Sequence, residues 1–153
     1  MLASTYTRGD AGHVLVTTGA IEANYLLYNV LLDAGDHMIA PYPAYQQLYE
    51  VPKAIGCDVS LWHVGPETGY RYDVDALARL ITPKTKLIVI NTPHNPTGSV
   101  FSESDIDQLR SVVSGTAAVI ALPKTLPSAA KTRPGVSRAT MVFNLPKSLD
   151  ISE

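Results

Sequence analysis

The stretch Lys86-Leu-Ile-Val-Ile-Asn91 contains four consecutive large aliphatic residues, and it decides the fold. An unbroken aliphatic run of this length is typical of a strand buried on both faces, as the central strands of parallel sheets are. The following segment, Asn91-Thr-Pro-His-Asn-Pro-Thr-Gly98, contains two prolines and a glycine, which fix the shape of the backbone. We therefore predict a central parallel strand that ends in a loop of defined shape.

Short β-rich runs alternate with longer helical patterns on both sides of this strand, which is typical of an α/β protein. Strands are predicted at 13–17, 37–40, 57–64, 117–122 and 140–143, and helices at 21–32, 45–55, 73–81 and 102–113. Asp73 and Ser102 are expected to be N-caps of the last two helices. The predicted fold is a mostly parallel sheet with helices on both faces. Residues 1–122 are expected to form the α/β core, and residues 123–153 an irregular segment that includes the last strand.

The composition excludes several classes of protein. The chain has 153 residues, of which 46% are hydrophobic and 17% charged, as in an ordinary globular domain. A net charge of −2 gives no basic surface for nucleic acid, and no lysine or arginine cluster marks a membrane surface. The single cysteine, Cys57, cannot form an internal disulfide and is expected to be a small buried residue. Without a signal peptide pattern or a membrane span, we expect a cytoplasmic location.

Three segments carry residues suited to binding a ligand. Thr17-Thr-Gly-Ala-Ile-Glu-Ala-Asn24 leads through a glycine turn into a helix, whose unpaired amides can hold a phosphate group. Pro41-Tyr-Pro-Ala-Tyr45 places aromatic rings at the end of a strand, where they can stack on a planar ligand or cap the core. Asn91–Gly98 directs Asn95 toward the ligand crevice expected beyond the strand ends. No group of residues with metal-ligand spacing is found, so no metal site is predicted.

The string His-Asn-Pro-Thr-Gly over 94–98, preceded by TTGAIEAN and PYPAY in this order, resembles the class I/II aminotransferases of fold type I. The resemblance covers about residues 14–113, and it implies pyridoxal 5'-phosphate (PLP) as cofactor. It also implies that the main-chain amides of Ala20 and Ile21 hold the phosphate, that Tyr42 stacks on the pyridine ring, and that Asn95 hydrogen-bonds the ring 3-oxygen. Tyr45, His94 and Thr97 receive no comparable role and are interpreted as structural.

The family also needs a lysine that forms a Schiff base with the cofactor. The segment Thr140-Met-Val-Phe-Asn-Leu-Pro-Lys147 follows a β run, which makes Lys147 the candidate for both cofactor attachment and catalysis. Leu145-Pro146 replaces the serines usual in the family at this point. Lys124, which lies between two prolines, is the rival candidate.

The sequence departs from the family after the strand predicted at 117–122. Family members carry an aspartate there that pairs with the pyridine nitrogen, and this chain has Leu122-Pro-Lys-Thr125. The sequence also lacks the small C-terminal domain with its substrate-binding arginine, so we expect an incomplete copy of the family.

The resemblance implies transfer of an amino group from an amino acid to a 2-oxo acid, in a homodimer. A catalytically dead fragment that acts as an interaction or phosphate-binding module is the alternative. An unrelated nucleotide-binding α/β domain fits the coarse pattern of strands and helices but not the His-Asn-Pro-Thr-Gly string.

Overall fold

The computed structural model describes residues 15–121. Its centre is a parallel four-stranded sheet in the order β2-β1-β3-β4. The strands are β1 (His37–Tyr42), β2 (Asp58–His63), β3 (Thr85–Val89) and β4 (Val119–Ala121). The helices are α1 (Gly19–Leu31), α2 (Gln47–Ile55), α3 (Val74–Leu80) and α4 (Glu103–Val113), and Pro66–Thr68 forms a short 3₁₀ helix. The predicted α/β fold class is confirmed.

Helices cover both faces of the sheet, as the aliphatic run in β3 predicts. Leu87 and Val89 face one hydrophobic core, which also contains Leu27 and Tyr28 of α1 and Leu48 of α2. The other core receives Ile88 and Ile90 from the β3 segment, together with Leu77 of α3 and Leu109 of α4. Successive residues of a strand point to opposite faces, so the unbroken run supplies both cores at once.

Most predicted elements are confirmed, with ends that differ by one or two residues. The helix predicted at 21–32 begins two residues earlier, at Gly19, and the helix predicted at 45–55 begins at Gln47. The strand predicted at 13–17 is wrong for its described part, since Leu15 and Val16 lie outside the sheet and are 68% and 61% exposed. An isolated β-rich run cannot form a strand without a partner for its backbone groups. The strand predicted at 140–143 lies outside the described residues.

Local sequence signals set the beginnings of α3 and α4. The Asp73 side chain accepts a hydrogen bond from the Ala76 amide at 3.0 Å, as predicted for an N-cap. At α4, Ser102 accepts from the Asp105 amide while the Asp105 carboxylate accepts from the Ser102 amide, which completes a capping box. Cys57 is buried and its thiol contacts the Asp33 carbonyl at 3.4 Å, which confirms the prediction of a small buried residue. Within residues 15–121, no helix is both long and apolar enough to cross a membrane.

A buried histidine links three strands at the amino edge of the sheet. His37 of β1 hydrogen-bonds the Thr85 hydroxyl of β3 through Nδ1 at 2.7 Å and the Ser60 hydroxyl of β2 through Nε2 at 2.9 Å. Burial lowers the pKa of His37, and the nearby Asp58 carboxylate raises it by a smaller amount. The folded chain therefore favours the neutral ring.

We expect the chain to become less stable as the pH falls, in part because of His37. Since its pKa is lower in the folded state, His37 contributes stability that is complete above its unfolded pKa of about 6.5 and is lost as the pH falls through the folded pKa. His37→Gln should make the free energy of unfolding, measured by urea titration between pH 7.5 and 5, depend less steeply on pH. His63→Gln, which removes an exposed histidine from β2, is the matched control. An unchanged slope in His37→Gln would contradict this account.

Candidate functional site

The sheet brings the predicted site segments to one edge. All four strands are parallel, so their carboxyl ends lie on the same side of the molecule. The chain leaves β1 into a helix on one face and leaves β3 into a helix on the other. Ligand crevices in open α/β sheets form between two neighbouring strands that diverge in this way. The candidate site therefore lies beyond the carboxyl ends of β1 and β3.

The first turn of α1 lies at this edge as well. Leu31 ends the helix, and β1 begins six residues later at His37 after a turn that reverses the chain. Thirteen helical residues and six strand residues both span about 20 Å. Because α1 packs on the sheet through Leu27 and Tyr28, running antiparallel to β1, its N-terminus reaches the level of the β1 carboxyl end.

The N-terminus of α1 offers unpaired amide groups. Thr18 is the N-cap, and its side chain makes no capping hydrogen bond. The first-turn amides, including those of Ala20 and Ile21, have no acceptor within a helix. Gly19 has a φ of +83°, which favours glycine, and a Cβ added there would meet no atom within 4 Å. The Glu22 carboxylate accepts a hydrogen bond from the Thr18 amide, so one negative charge already lies at this helix end.

Tyr42 is the last residue of β1, and the residue is 38% exposed. The ring packs edge-on against Tyr49 and His63, with centroid distances of 5.8 Å and 5.3 Å. Tyr45, three residues further on, is half exposed and lies beyond the strand. The Tyr42 ring is thus packed against two neighbours at the carboxyl end of β1, and the residue stays partly exposed.

The loop of residues 91–99 follows β3 and is closed by its own hydrogen bonds. The His94 amide donates to the Ser99 carbonyl and the Gly98 amide donates to the His94 carbonyl, both at 2.7 Å. The Asn91 side chain, with its amide oriented to satisfy both groups, accepts from the Asn95 amide at 3.0 Å and donates to the Pro93 carbonyl at 3.1 Å. Asn95 itself is exposed, in the loop that leaves the carboxyl end of β3.

An aromatic cluster supports this loop from below. Tyr72 packs against Trp62 and Phe101, with ring centroids at 4.8 Å and 4.3 Å, and its hydroxyl donates to the Asn91 carbonyl at 2.9 Å. The rings of His94 and Tyr72 meet edge-on, with their centroids 5.3 Å apart. Burial is the main cause that raises the pKa of the Tyr72 hydroxyl, so it stays a neutral donor. The loop after β3 is therefore fixed to the segment that follows β2.

The structure brings four of the five predicted site residues to one edge of the sheet. Ala20 and Ile21 lie in the first turn of α1, Tyr42 ends β1, and Asn95 follows β3. The register pairs Ile39 with Ile88, so Tyr42 and Asn91, three residues further along each chain, lie at the same level. Lys147 and its rival Lys124 lie outside the described residues. Residues 15–121 contain no cluster of three His, Cys, Asp or Glu side chains that could hold a metal ion.

Sequence reasoning missed two features of this edge. The sequence did not predict that His94 is buried, with 2% of its surface exposed. It also did not predict the contact between the His94 ring and the Thr97 hydroxyl. It also missed the Glu22 carboxylate on the Thr18 amide. For Glu22 a signal was present, because acidic residues are favoured in the first turn of a helix.

Comparison with known proteins agrees with this geometry. Residues 2–121 match the family "Aminotransferase class I and II". Capreomycidine synthase from Streptomyces vinaceus is 35% identical over 114 residues, and a probable aspartate aminotransferase from Streptomyces griseus is 40% identical over 101 residues. These alignments cover 74% and 65% of this chain but 29% and 47% of the two relatives.

The fold is also shared with solved structures. A PLP-dependent aminotransferase from Streptococcus suis 89-1591 superposes with a TM-score of 0.77 at 38% identity, covering 85% of this chain and 35% of that one. The chain spans less than half the length of these relatives. Its matched part nevertheless includes every described strand and helix, and the chain therefore belongs to the class I and II aminotransferase family.

Proposed function

We propose that this chain is the cofactor-binding part of a PLP-dependent aminotransferase, which transfers an amino group from an amino acid to a 2-oxo acid. The observation that carries the proposal is that the α1 N-terminus, Tyr42 and the Asn95 loop lie on the same side of the parallel sheet, beyond the carboxyl ends of β1 and β3. The proposal extends to a homodimer in the cytoplasm, as the resemblance and the lone cysteine lead us to expect.

The groups at this crevice suit a phosphorylated aromatic ring. The first-turn amides of α1, at the positive end of the helix dipole, are donors for a phosphate. The Tyr42 ring offers an apolar surface for stacking, and the Asn95 carboxamide can donate to a ring oxygen. Each of the three parts of PLP thus has a partner of fitting chemistry.

When bound, PLP supplies an electron sink for negative charge on the substrate α-carbon. In our proposal Lys147 holds the cofactor covalently, and its amine moves the α-proton. Ala20 and Ile21 anchor the phosphate, while Tyr42 and Asn95 orient the ring. Leu122–Thr125 contains no carboxylate to keep the pyridine nitrogen protonated, so we expect slow turnover by this chain.

The first test is the absorption spectrum of the purified 153-residue chain with PLP. A band of lysine-bound cofactor should appear, vanish in Lys147→Ala and persist in Lys124→Ala. If Lys124→Ala alone abolishes the band, Lys124 is the attachment site and our assignment is wrong. If the unsubstituted chain forms no band and binds no PLP, the proposed function fails, and the dead-fragment alternative becomes the better interpretation.

Substitution of Tyr42 tests the stacking role. Tyr42→Ala should weaken PLP binding about tenfold, because loss of an aromatic contact of about 1–1.5 kcal/mol corresponds to roughly that factor. Tyr42→Phe should bind nearly as well as the unsubstituted chain, since stacking needs the ring and not the hydroxyl. Tyr45→Ala is the matched control, and its dissociation constant in the same titration should change little. Equal weakening in the Phe and Ala variants at position 42 would argue against stacking.

Glu22→Gln tests whether the phosphate binds at the α1 N-terminus. This change removes a negative charge from that helix end and keeps an oxygen that can accept from the Thr18 amide. We expect PLP to bind about threefold more tightly, in line with the modest energy of an exposed charge pair. Asp33→Asn, at the far end of the same helix, is the control for net charge. Equal tightening in both variants would place the phosphate elsewhere.

A further inference from the structure

His94 is the one buried side chain in the loop of residues 91–99, with 2% of its surface exposed. The next residue, Asn95, is exposed. Two short hydrogen bonds hold the backbone around these two residues, from the His94 amide to the Ser99 carbonyl and from the Gly98 amide to the His94 carbonyl. A buried ring and an exposed carboxamide therefore lie side by side on a backbone that is held at both sides of the pair.

A series of hydroxyl contacts fixes the position of the proton on the His94 ring. His94 Nδ1 lies 2.7 Å from the Thr97 hydroxyl, which donates to the Ser99 hydroxyl at 3.0 Å, and the Ser99 hydroxyl donates to the Tyr70 carbonyl. A carbonyl can only accept, and each hydroxyl has a single hydrogen to donate. Thr97 has therefore used its hydrogen on Ser99, and Nδ1 must be the donor to Thr97.

The other ring nitrogen, Nε2, has no hydrogen-bond partner within residues 15–121. Burial is the larger influence and lowers the pKa of His94, while the Pro43 carbonyl raises it as a backbone acceptor beside the ring, without meeting Nε2 in hydrogen-bond geometry. The ring is therefore neutral, with its proton on Nδ1 and an unprotonated Nε2.

The His94 ring contacts elements from three different connections. Pro43 follows β1, Tyr72 follows β2, and Thr97 follows β3. These connections leave the carboxyl ends of three adjacent strands. One neutral imidazole thus ties together the loops that surround the candidate crevice.

We propose that His94, as the neutral tautomer protonated on Nδ1, is a positioning residue that holds the loop of residues 91–99 so that Asn95 faces the crevice. This inference rests on the proposed function, because Asn95 is the residue expected to contact the ring oxygen of PLP. His94 touches neither the cofactor nor the substrate in this account. It acts through Thr97 and through the backbone of its own loop.

Two conservative variants separate the roles of the two ring nitrogens. An asparagine side chain places its amide near the position of Nδ1, whereas a glutamine side chain places it near the position of Nε2. Donation to Thr97 should therefore survive in His94→Asn and be lost in His94→Gln. In a PLP titration of the 153-residue chain, we expect less than threefold weakening for His94→Asn and about tenfold or more for His94→Gln. Thr97→Ser should bind PLP nearly as well as the unsubstituted chain, because serine keeps the hydroxyl, whereas Thr97→Val should bind it about as weakly as His94→Gln.

A second readout needs no cofactor. Nitrogen-15 NMR of the ring, assigned by the signals that disappear in His94→Asn, should show a protonated Nδ1 and an unprotonated Nε2 at pH 7.5. The side-chain amide signals of Asn95 should keep their shifts in His94→Asn and Thr97→Ser, and should move in His94→Gln and Thr97→Val.

These NMR results separate the inference from the proposed function. Suppose that the chain binds no PLP, but that Nδ1 is protonated and the Asn95 signals move only in His94→Gln and Thr97→Val. The proposed cofactor binding is then refuted, and the positioning role is supported. The positioning role would be overturned, whether or not PLP binds, by a proton on Nε2. It would also be overturned if the chemical shifts of the Asn95 side-chain amide were unchanged in both His94→Gln and Thr97→Val.

Discussion

The burial of β3 on both of its faces is the constraint on which the rest of the structure depends. Leu87 and Val89 need apolar cover on one side, and Ile88 and Ile90 need it on the other. The chain meets this demand by crossing one face between β1 and β2 and the opposite face between β2 and β3. Because of this change of face, the connection that leaves β1 and the connection that leaves β3 turn to opposite sides of the sheet. Hydrophobic burial, which is indifferent to any ligand, therefore creates the crevice where the candidate site lies.

Beyond the strand ends, backbone polar groups cannot form the hydrogen bonds that join neighbouring strands, so they need other partners. The loop of residues 91–99 satisfies its backbone through the Asn91 side chain, the Tyr72 hydroxyl and its own amides. A loop with its hydrogen bonds already made loses little conformational freedom when it binds a ligand, so more of the contact energy appears as affinity. The aromatic cluster beneath it serves the same end, because a ring packed on three sides has few alternative rotamers.

The sequence predicts those parts of this fold that depend on local chemistry. The aliphatic run predicts β3, and Asp73 and Ser102 predict the beginnings of two helices, because each signal acts within a few residues. The strand predicted at 13–17 is wrong where it is described, since a strand needs a partner and not only β-rich residues. The burial of His94 was equally beyond prediction, because Ser99 links its loop to Tyr70, 29 residues earlier in the chain. Which strands are neighbours, and so which loops meet, is a property of the whole topology.

Two buried neutral histidines at opposite edges of the sheet show how position decides the use of one side chain. His37 has a hydroxyl partner on each ring nitrogen, from β2 and from β3, so its hydrogen-bonding capacity is exhausted in joining strands. His94 has a hydroxyl partner on Nδ1 alone. A buried acceptor without a partner costs stability, and a fold that needed His94 only for packing would do as well with an apolar residue of similar size. The presence of a polar ring at this position is accounted for by the Nδ1 donor, which in our proposal holds the loop in its orientation through Thr97. An apolar side chain that only filled the core could not do this.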